Sequence, residues 1–225
     1  MTNTLTLTLA ELRSVAALAL FTASPRDNSP VLECVSLTVT AGAAGGETVT
    51  AYATDRYRAV ELVIHHAEEQ HSDPGVYFVP GKLLTAFATA TRATKFGIMP
   101  VTIVQDGGQG DVTISGTGVT LSGTVPADTK PFPLIARLFP VDDDAFGELE
   151  GLAFNPALLA PVSKLSHPFA VSSPAWDVRF MRGSGEGKTG PMVLELPMLK
   201  GAHPDDRLRV LIQPHIRLPL RERAN

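Results

Sequence analysis

Ala53-Thr54-Asp55-Arg56-Tyr57-Arg58-Ala59-Val60 is the run on which the reading of this chain turns. The residues before it, Thr48 to Thr54, alternate polar and apolar side chains and read as a strand. Those after it, Tyr57 to Ile64, read as a second strand. Between them the chain must reverse, and Asp55 and Arg58 are suited to stabilise that turn themselves.

Working outward, the same pattern of elements recurs. Leu5 to Leu9 alternates with period two and leads into a helix. Thr8 and Glu11 have capping-box spacing there, and Leu12, Val15, Ala16 and Ala19 form one stripe. Ser24 to Pro30 breaks the helix, Val31 to Thr40 reads as a strand, and Gly42 to Gly46 as a turn. The order strand, helix, three strands then returns. Val76 to Val79 is a strand, and Pro80 opens a helix carrying Leu83, Leu84, Phe87 and Ala90. Val101 to Val104, Asp111 to Ser115 and Val119 to Thr124 follow as strands.

A third pass begins near Gly151. Asn155-Pro156 starts a short helix with Leu158, Leu159, Val162 and Leu165, and strands are expected at Trp176 to Met181, Met192 to Leu196 and Leu208 to Ile212. The three helix starts, near Leu9, Pro80 and Pro156, lie 71 and 76 residues apart, which marks an internal repeat. A proline-rich connector, Lys130 to Pro140, and the acidic run Asp142-Asp143-Asp144 separate the second unit from the third.

Composition limits what such a chain can do. At 225 residues, 44% hydrophobic and 19% charged, it can bury a sizeable core. Cys34 is its single cysteine, which excludes an intramolecular disulfide framework and a multi-cysteine zinc site; it reads as core. Met1 to Leu5 lacks the basic start of a signal peptide, and no apolar run reaches the ~18 residues of a membrane span. The cytoplasm is the expected compartment. The net charge of −4 argues against holding nucleic acid by overall charge. Arg13, Lys82, Arg92, Lys95 and Lys164 nevertheless fall on or just after the three helices, with Arg26 in the turn after the first. Either these form a basic face or they are ordinary solvated helix surface; periodicity alone favours the second.

No catalytic set emerges. His65, His66, His71, His167, His203 and His215 form no H-x-x-x-H or H-x-x-E-H pattern, and there is no G-x-S-x-G elbow or phosphate-binding loop. Gly183 to Lys188 reads as a flexible loop and Asp142 to Asp144 as a solvated charge run. His65 and His66 should point to opposite faces of a strand, one buried and one solvated.

The run that opened the reading resembles the A-T-D-x-x-R-[LA] signature of bacterial DNA sliding clamps, the β subunit of DNA polymerase III. Five further stretches resemble that family in its own order. Ser29-Pro30-Val31-Leu32-Glu33-Cys34-Val35 is similar to its R-P-x-L-x-x-V strand entry, and Phe78-Val79-Pro80-Gly81-Lys82-Leu83-Leu84 to its V-V-P-x-K-x-L helix start. Phe132-Pro133 through Arg137-Leu138-Phe139-Pro140 resembles its interdomain segment, and Ala153-Phe154-Asn155-Pro156-Ala157-Leu158-Leu159 its last helix start. Val210-Leu211-Ile212-Gln213-Pro214 with Arg217-Leu218 resembles its closing strand, with Gln213 in place of the usual methionine.

The resemblance implies an α+β sliding-clamp fold of repeated strand–helix–strand–strand–strand units, helices on the inner face and sheets outside. It divides the chain into a complete two-repeat domain, 1–128, a connector, 129–147, and a one-repeat partial domain, 148–225. It implies a non-enzymatic DNA-replication protein, free of cofactor and metal, that encircles duplex DNA without regard to sequence. Its partners would be a DNA polymerase and a clamp loader, both held through short peptide motifs. Arg26, Lys82, Arg92, Lys95 and Lys164 would face the DNA. Leu32, Thr54, Arg56, Tyr57, Arg58, Ala59, Leu211 and Gln213 would build the partner-peptide pocket. Short phage clamps that assemble from several chains suggest a homo-oligomer. The alternative is a clamp-fold adaptor that binds proteins and does not encircle DNA.

Overall fold

Thr8 ends β1 (Thr2–Thr8) and starts α1 (Leu9–Ala17) with a reciprocal cap. Its Oγ1 accepts the Glu11 N–H at 3.2 Å, while the Glu11 carboxylate accepts the Thr8 N–H at 2.8 Å, as the spacing predicts. Leu12, Val15 and Ala16 bury the inner stripe of the helix, and a 3₁₀ turn, Leu18–Phe21, extends it. In this computed structural model the described residues are 2–25, 29–41, 46–66, 72–107, 110–125, 132–140, 146, 156–168, 170, 176–182, 189–200 and 202–213. Arg26, Asp142 to Asp144, Asn155 and Gly183 to Lys188 lie outside them.

The first unit continues through β2 (Cys34–Ala41), β3 (Glu47–Thr54) and β4 (Arg58–His66). The strand expected from Val31 starts later, because Pro30–Glu33 forms a 3₁₀ turn. Proline supplies a helical φ there and has no N–H for a ladder. The second unit comprises β5 (Gly75–Pro80), α2 (Gly81–Ala90), β6 (Pro100–Asp106), β7 (Asp111–Gly116) and β8 (Val119–Thr124). Pro80 ends β5 and caps α2 instead of occupying its first turn. Gly81 follows because a Cβ there would lie 3.2 Å from Ala19 Cβ and 3.1 Å from Thr22 Oγ1, so glycine lets α2 approach the end of the first helix. β7 and β8 join through Thr117 and Gly118, whose φ values of 54° and 79° suit a tight hairpin.

All pairings are antiparallel. A four-stranded sheet runs β1-β6-β7-β8, and a seven-stranded one runs β5-β2-β3-β4 and onward into the third unit. Each of the first two units thus lends its first strand to the other's sheet, and α1 packs on α2 between them. The third unit contributes α3 (Pro156–Leu159), which continues as a 3₁₀ turn to Lys164, then β9 (Asp177–Arg182), β10 (Thr189–Glu195) and β11 (Arg207–Ile212). β11 pairs with β4, with Val210 opposite Val60 and Leu208 opposite Leu62, so the sheet continues as β4-β11-β10-β9. One core cluster runs through both sheets and the helices and includes Leu7, Leu12, Phe21, Leu37, Leu62, Phe87, Ile103 and Val210.

Candidate functional site

The turn between β3 and β4 is locked by its own side chains. Asp55 accepts the N–H groups of Tyr57 and Arg58 at 3.0 and 2.8 Å and pairs with the Arg58 guanidinium, whose Nε lies 2.9 Å away. Thr54 Oγ1 donates to the Arg58 carbonyl at 2.7 Å and accepts the Arg56 N–H at 3.1 Å. Arg56 takes a left-handed φ of 76° and donates to Ser29 Oγ. Arg58 is turned inward: it lies over the Phe21 ring at 4.9 Å and reaches the Leu158 carbonyl at 3.4 Å. It therefore ties the turn to the first and third units together. Tyr57 is exposed, and its carbonyl accepts the Gln213 N–H at 2.9 Å just past the end of β11.

Beside this turn, β11 is bolted to β4. The Glu61 side chain, 2% exposed, accepts from Arg207 Nε and Arg209 Nε at 2.7 Å each and from Tyr52 Oη at 3.0 Å. Burial and the neighbouring Glu61 carboxylate push the Tyr52 hydroxyl well above its usual range. Arg209 also donates to the Pro140 carbonyl at 2.9 Å and stacks over Phe139, so the same residue holds the connector. The connector's 3₁₀ turn, Ile135–Leu138, buries Ile135 and Phe139 against Ala59 and Leu211. Leu134 and Leu138 face outward, 67% and 51% exposed. Leu32 belongs to a neighbouring cluster with Ala23 and Val31, and Phe132 packs against both clusters.

The basic residues lie on or after helices. Lys82 is in the first turn of α2, Arg92 and Lys95 follow its end, and Lys164 ends the turn after α3; all four are exposed. A ten-residue helix spans about 15 Å, which sets the distance along α2 between its two basic ends. Arg26 lies outside the described residues. Arg13 donates to the Thr91 and Thr94 carbonyls at 2.6 and 2.9 Å and so pins to α1 the segment that carries Arg92 and Lys95.

Three solved structures show what this architecture is similar to. The DNA polymerase sliding clamp of Pseudomonas aeruginosa, solved with a ligand, matches with a TM-score of 0.60 at 16% identity, covering 95% of this chain and 66% of its own. A sliding clamp (DNA polymerase III subunit beta) of Bartonella birtlesii bound to griselimycin matches at 0.60 and 12%, with the same coverage. The DNA polymerase III subunit beta of Borrelia burgdorferi, in complex with a natural product, matches at 0.60 and 12%, covering 94% of this chain and 64% of its own. The chain has the sliding-clamp fold. It spans about two thirds of the length of those clamps. No protein-family sequence model matches it, and no curated protein matches it by sequence.

Within this clamp fold, the eight residues expected to form a peptide pocket gather around one junction but play different parts. Ala59 and Leu211 form a floor that the connector covers, and Leu32 lies in the next cluster. Thr54, Arg56 and Arg58 are engaged by the turn and its neighbours, while Tyr57 and Gln213 reach the surface. The sequence reading missed the covering residues Ile135 and Phe139 and the Glu61 cluster. The alternation Arg207-Leu208-Arg209-Val210, with Glu61 set within the apolar run Ala59 to Ile64 of β4, was the available signal.

The histidine pair follows expectation in part, with His66 buried and His65 half-buried. His66 is buried between two carboxylates, Nδ1 at 2.9 Å from Glu47 and Nε2 at 3.1 Å from Glu11. Burial alone would lower its pKa, but the bonds and charges of Glu11 and Glu47 outweigh it and raise it. Burial likewise works to raise the pKa of Glu11, and the bonds from His66 and Thr8 outweigh it and lower it. His65 is half-buried: its backbone N–H and Nδ1 lie 2.8 and 3.1 Å from buried Asp206, which also accepts the His203 N–H. Among the described residues His65, His203 and Asp205 bring ligand-type atoms within 4.8 Å of one another. The two imidazoles stack face to face at 4.0 Å instead of converging edge-on, so the group fastens the loop before β11 to the end of β4. Cys34 is buried, as expected, and burial pushes its thiol up to about 12.

Proposed function

We propose that the chain is a sliding-clamp processivity factor that encircles duplex DNA and tethers a replicative polymerase. The observation that carries this reading is the sheet that runs unbroken from the first unit through β4·β11 into the third, with helices packed on one side. Continued through further units of the same kind, such a sheet would curve into an arc able to close around DNA. The divisions 1–128, 129–147 and 148–225 are the proposed complete domain, connector and partial domain. Lys82, Arg92, Lys95 and Lys164, with Arg26, supply the DNA-facing charge. A ring turns dissociation from DNA into a matter of opening, so modest phosphate attraction suffices and sliding stays easy. Such a protein is no enzyme, needs no cofactor, and works in the cytoplasm as a homo-oligomer.

Polymerase and loader peptides would dock at the junction, against Tyr57, Gln213 and the outward Leu134 and Leu138, beside the covered floor of Ala59 and Leu211. Apolar anchors meeting exposed leucines and a tyrosine are the chemistry of short-peptide recognition. The second reading, an adaptor that binds proteins without encircling DNA, is favoured by the single-unit third domain. Binding to duplex DNA blocked at both ends separates the two. The clamp reading predicts sequence-independent association that weakens with salt and is lost when Lys82, Arg92, Lys95 and Lys164 are all changed to Glu. Absence of association with blocked-end DNA, in a folded and assembled protein, favours the adaptor.

A further inference from the structure

The first two units complete each other, and among the described residues the third has no such companion in its own chain. In the first unit a buried row crosses β4 and β3 through Val60 and Ala53, both 0% exposed, and β2 beyond them is buried from Cys34 to Leu37. β2 stays covered because β5 of the second unit pairs along its outer edge and the 3₁₀ turns Leu18–Phe21 and Pro30–Glu33 pack against it. β6, its counterpart in the second unit, is covered in the same way by β1, and Val101 and Ile103 are 0% exposed.

β9 holds that place in the third unit, and it is open. The corresponding row runs Val210, Leu194, Val178, and exposure climbs along it from 0% to 6% to 48%. Among the described residues the outer edge of β9 carries only a single bridge, between Phe146 and Met181. Trp176, Phe180, Leu158 and Leu159 are half-buried around it. A cavity of about 700 Å³ opens between the helical segment and β10, walled by Leu159, Val162, Leu165, Trp176, Leu194 and Leu196. Large apolar side chains around an open cavity and an unfinished sheet mark a face built to be covered.

We propose that the third unit of a second copy of this chain covers it, the two units packing about a two-fold axis to make one composite clamp domain. The fold itself names the occupant. A unit of this kind is finished by another of its kind, through exchanged first strands and facing helices, and the first two units are already engaged with each other. The unit left over in one copy therefore matches the unit left over in the next, and a self-complementary face closes by two-fold symmetry. Two copies would supply three complete domains in one arc, with β8 as the free edge at each end. The inference deepens the clamp reading and rests on the same three-unit architecture.

The test uses the full chain and its one tryptophan, Trp176, which stands in the proposed interface. Sedimentation should give a dimer or a multiple of it, and dilution to monomer should shift Trp176 emission to the red in step with the mass. Val178→Asp should raise the dimer dissociation constant at least about 30-fold. It should do so with unchanged far-UV dichroism, since the site is half exposed in the single chain. A wild-type chain monomeric at high micromolar concentration, with exposed Trp176, overturns the proposal and assigns the face to a different protein. Assembly that persists unchanged in Val178→Asp also overturns it and moves the contact elsewhere, for instance to β8. Retention on DNA is read separately: a Val178→Asp-resistant oligomer still held on closed circles sinks only this interface, and an intact dimer with no DNA retention strikes only the clamp reading.

Discussion

Glu61 is a buried carboxylate between two arginines of another unit, and its worth lies in what its removal would leave. Deleting one partner of a buried pair strands the other charge, so Glu61→Ala should lower stability by about 3–5 kcal/mol in urea unfolding. Arg207→Ala should cost far less, because that side chain is 37% exposed. His66 gives a pH signature. Its folded pKa is raised above the ordinary 6.5, so its contribution is complete below 6.5 and fades as pH rises through the folded value. The stability gap between wild type and His66→Gln should therefore be widest near pH 6 and narrow toward pH 9, measured by thermal unfolding. Burial depresses the pKa of His167, whose Nε2 donates to the Val63 carbonyl in both proteins alike, so its opposite trend cancels in the difference. At this scale the sequence disclosed the Thr8–Glu11 cap, because capping is a three-residue affair. It hid the bonds of His66, whose partners lie 55 and 19 residues away.

Among the elements, the connector carries two kinds of leucine-sized side chain with opposite duties. Ile135 and Phe139 seal the floor of Ala59 and Leu211, so Phe139→Ala should cost about 3–5 kcal/mol. Leu134 and Leu138 stand in solvent, and changing both to Ser should leave stability within about 0.5 kcal/mol each while abolishing polymerase stimulation in primer extension. Stimulation that survives the double change places the partner site elsewhere. Alternation located the strands, and β8 matches the expected Val119 to Thr124 span. Proline chemistry moved two boundaries, at Pro30 and Pro80, where the ring fits a turn and a cap better than a ladder or a helix interior. Which strand meets which was beyond local patterning: β4 and β11 are separated by more than a hundred residues and joined by a pairing that only the folded chain displays.

For the whole molecule, the threefold recurrence was legible because the helix starts and their apolar stripes return at similar spacing. Six motifs in clamp order then gave the recurrence a meaning. The inward turn of Arg58 and the covering of Ala59 and Leu211 by the connector were not legible, since both depend on how units meet. The acidic net charge of −4 and the exposed basic residues near the helices are reconciled if DNA is held by enclosure and only guided by charge. The most direct test is to load the protein onto a nicked circular duplex, remove free protein by gel filtration, and cut the circle once. Enclosure predicts that the protein stays with the intact circle and runs off within minutes of the cut, even at salt that removes it from linear DNA. Equal retention before and after cutting, or none on the circle, would contradict it.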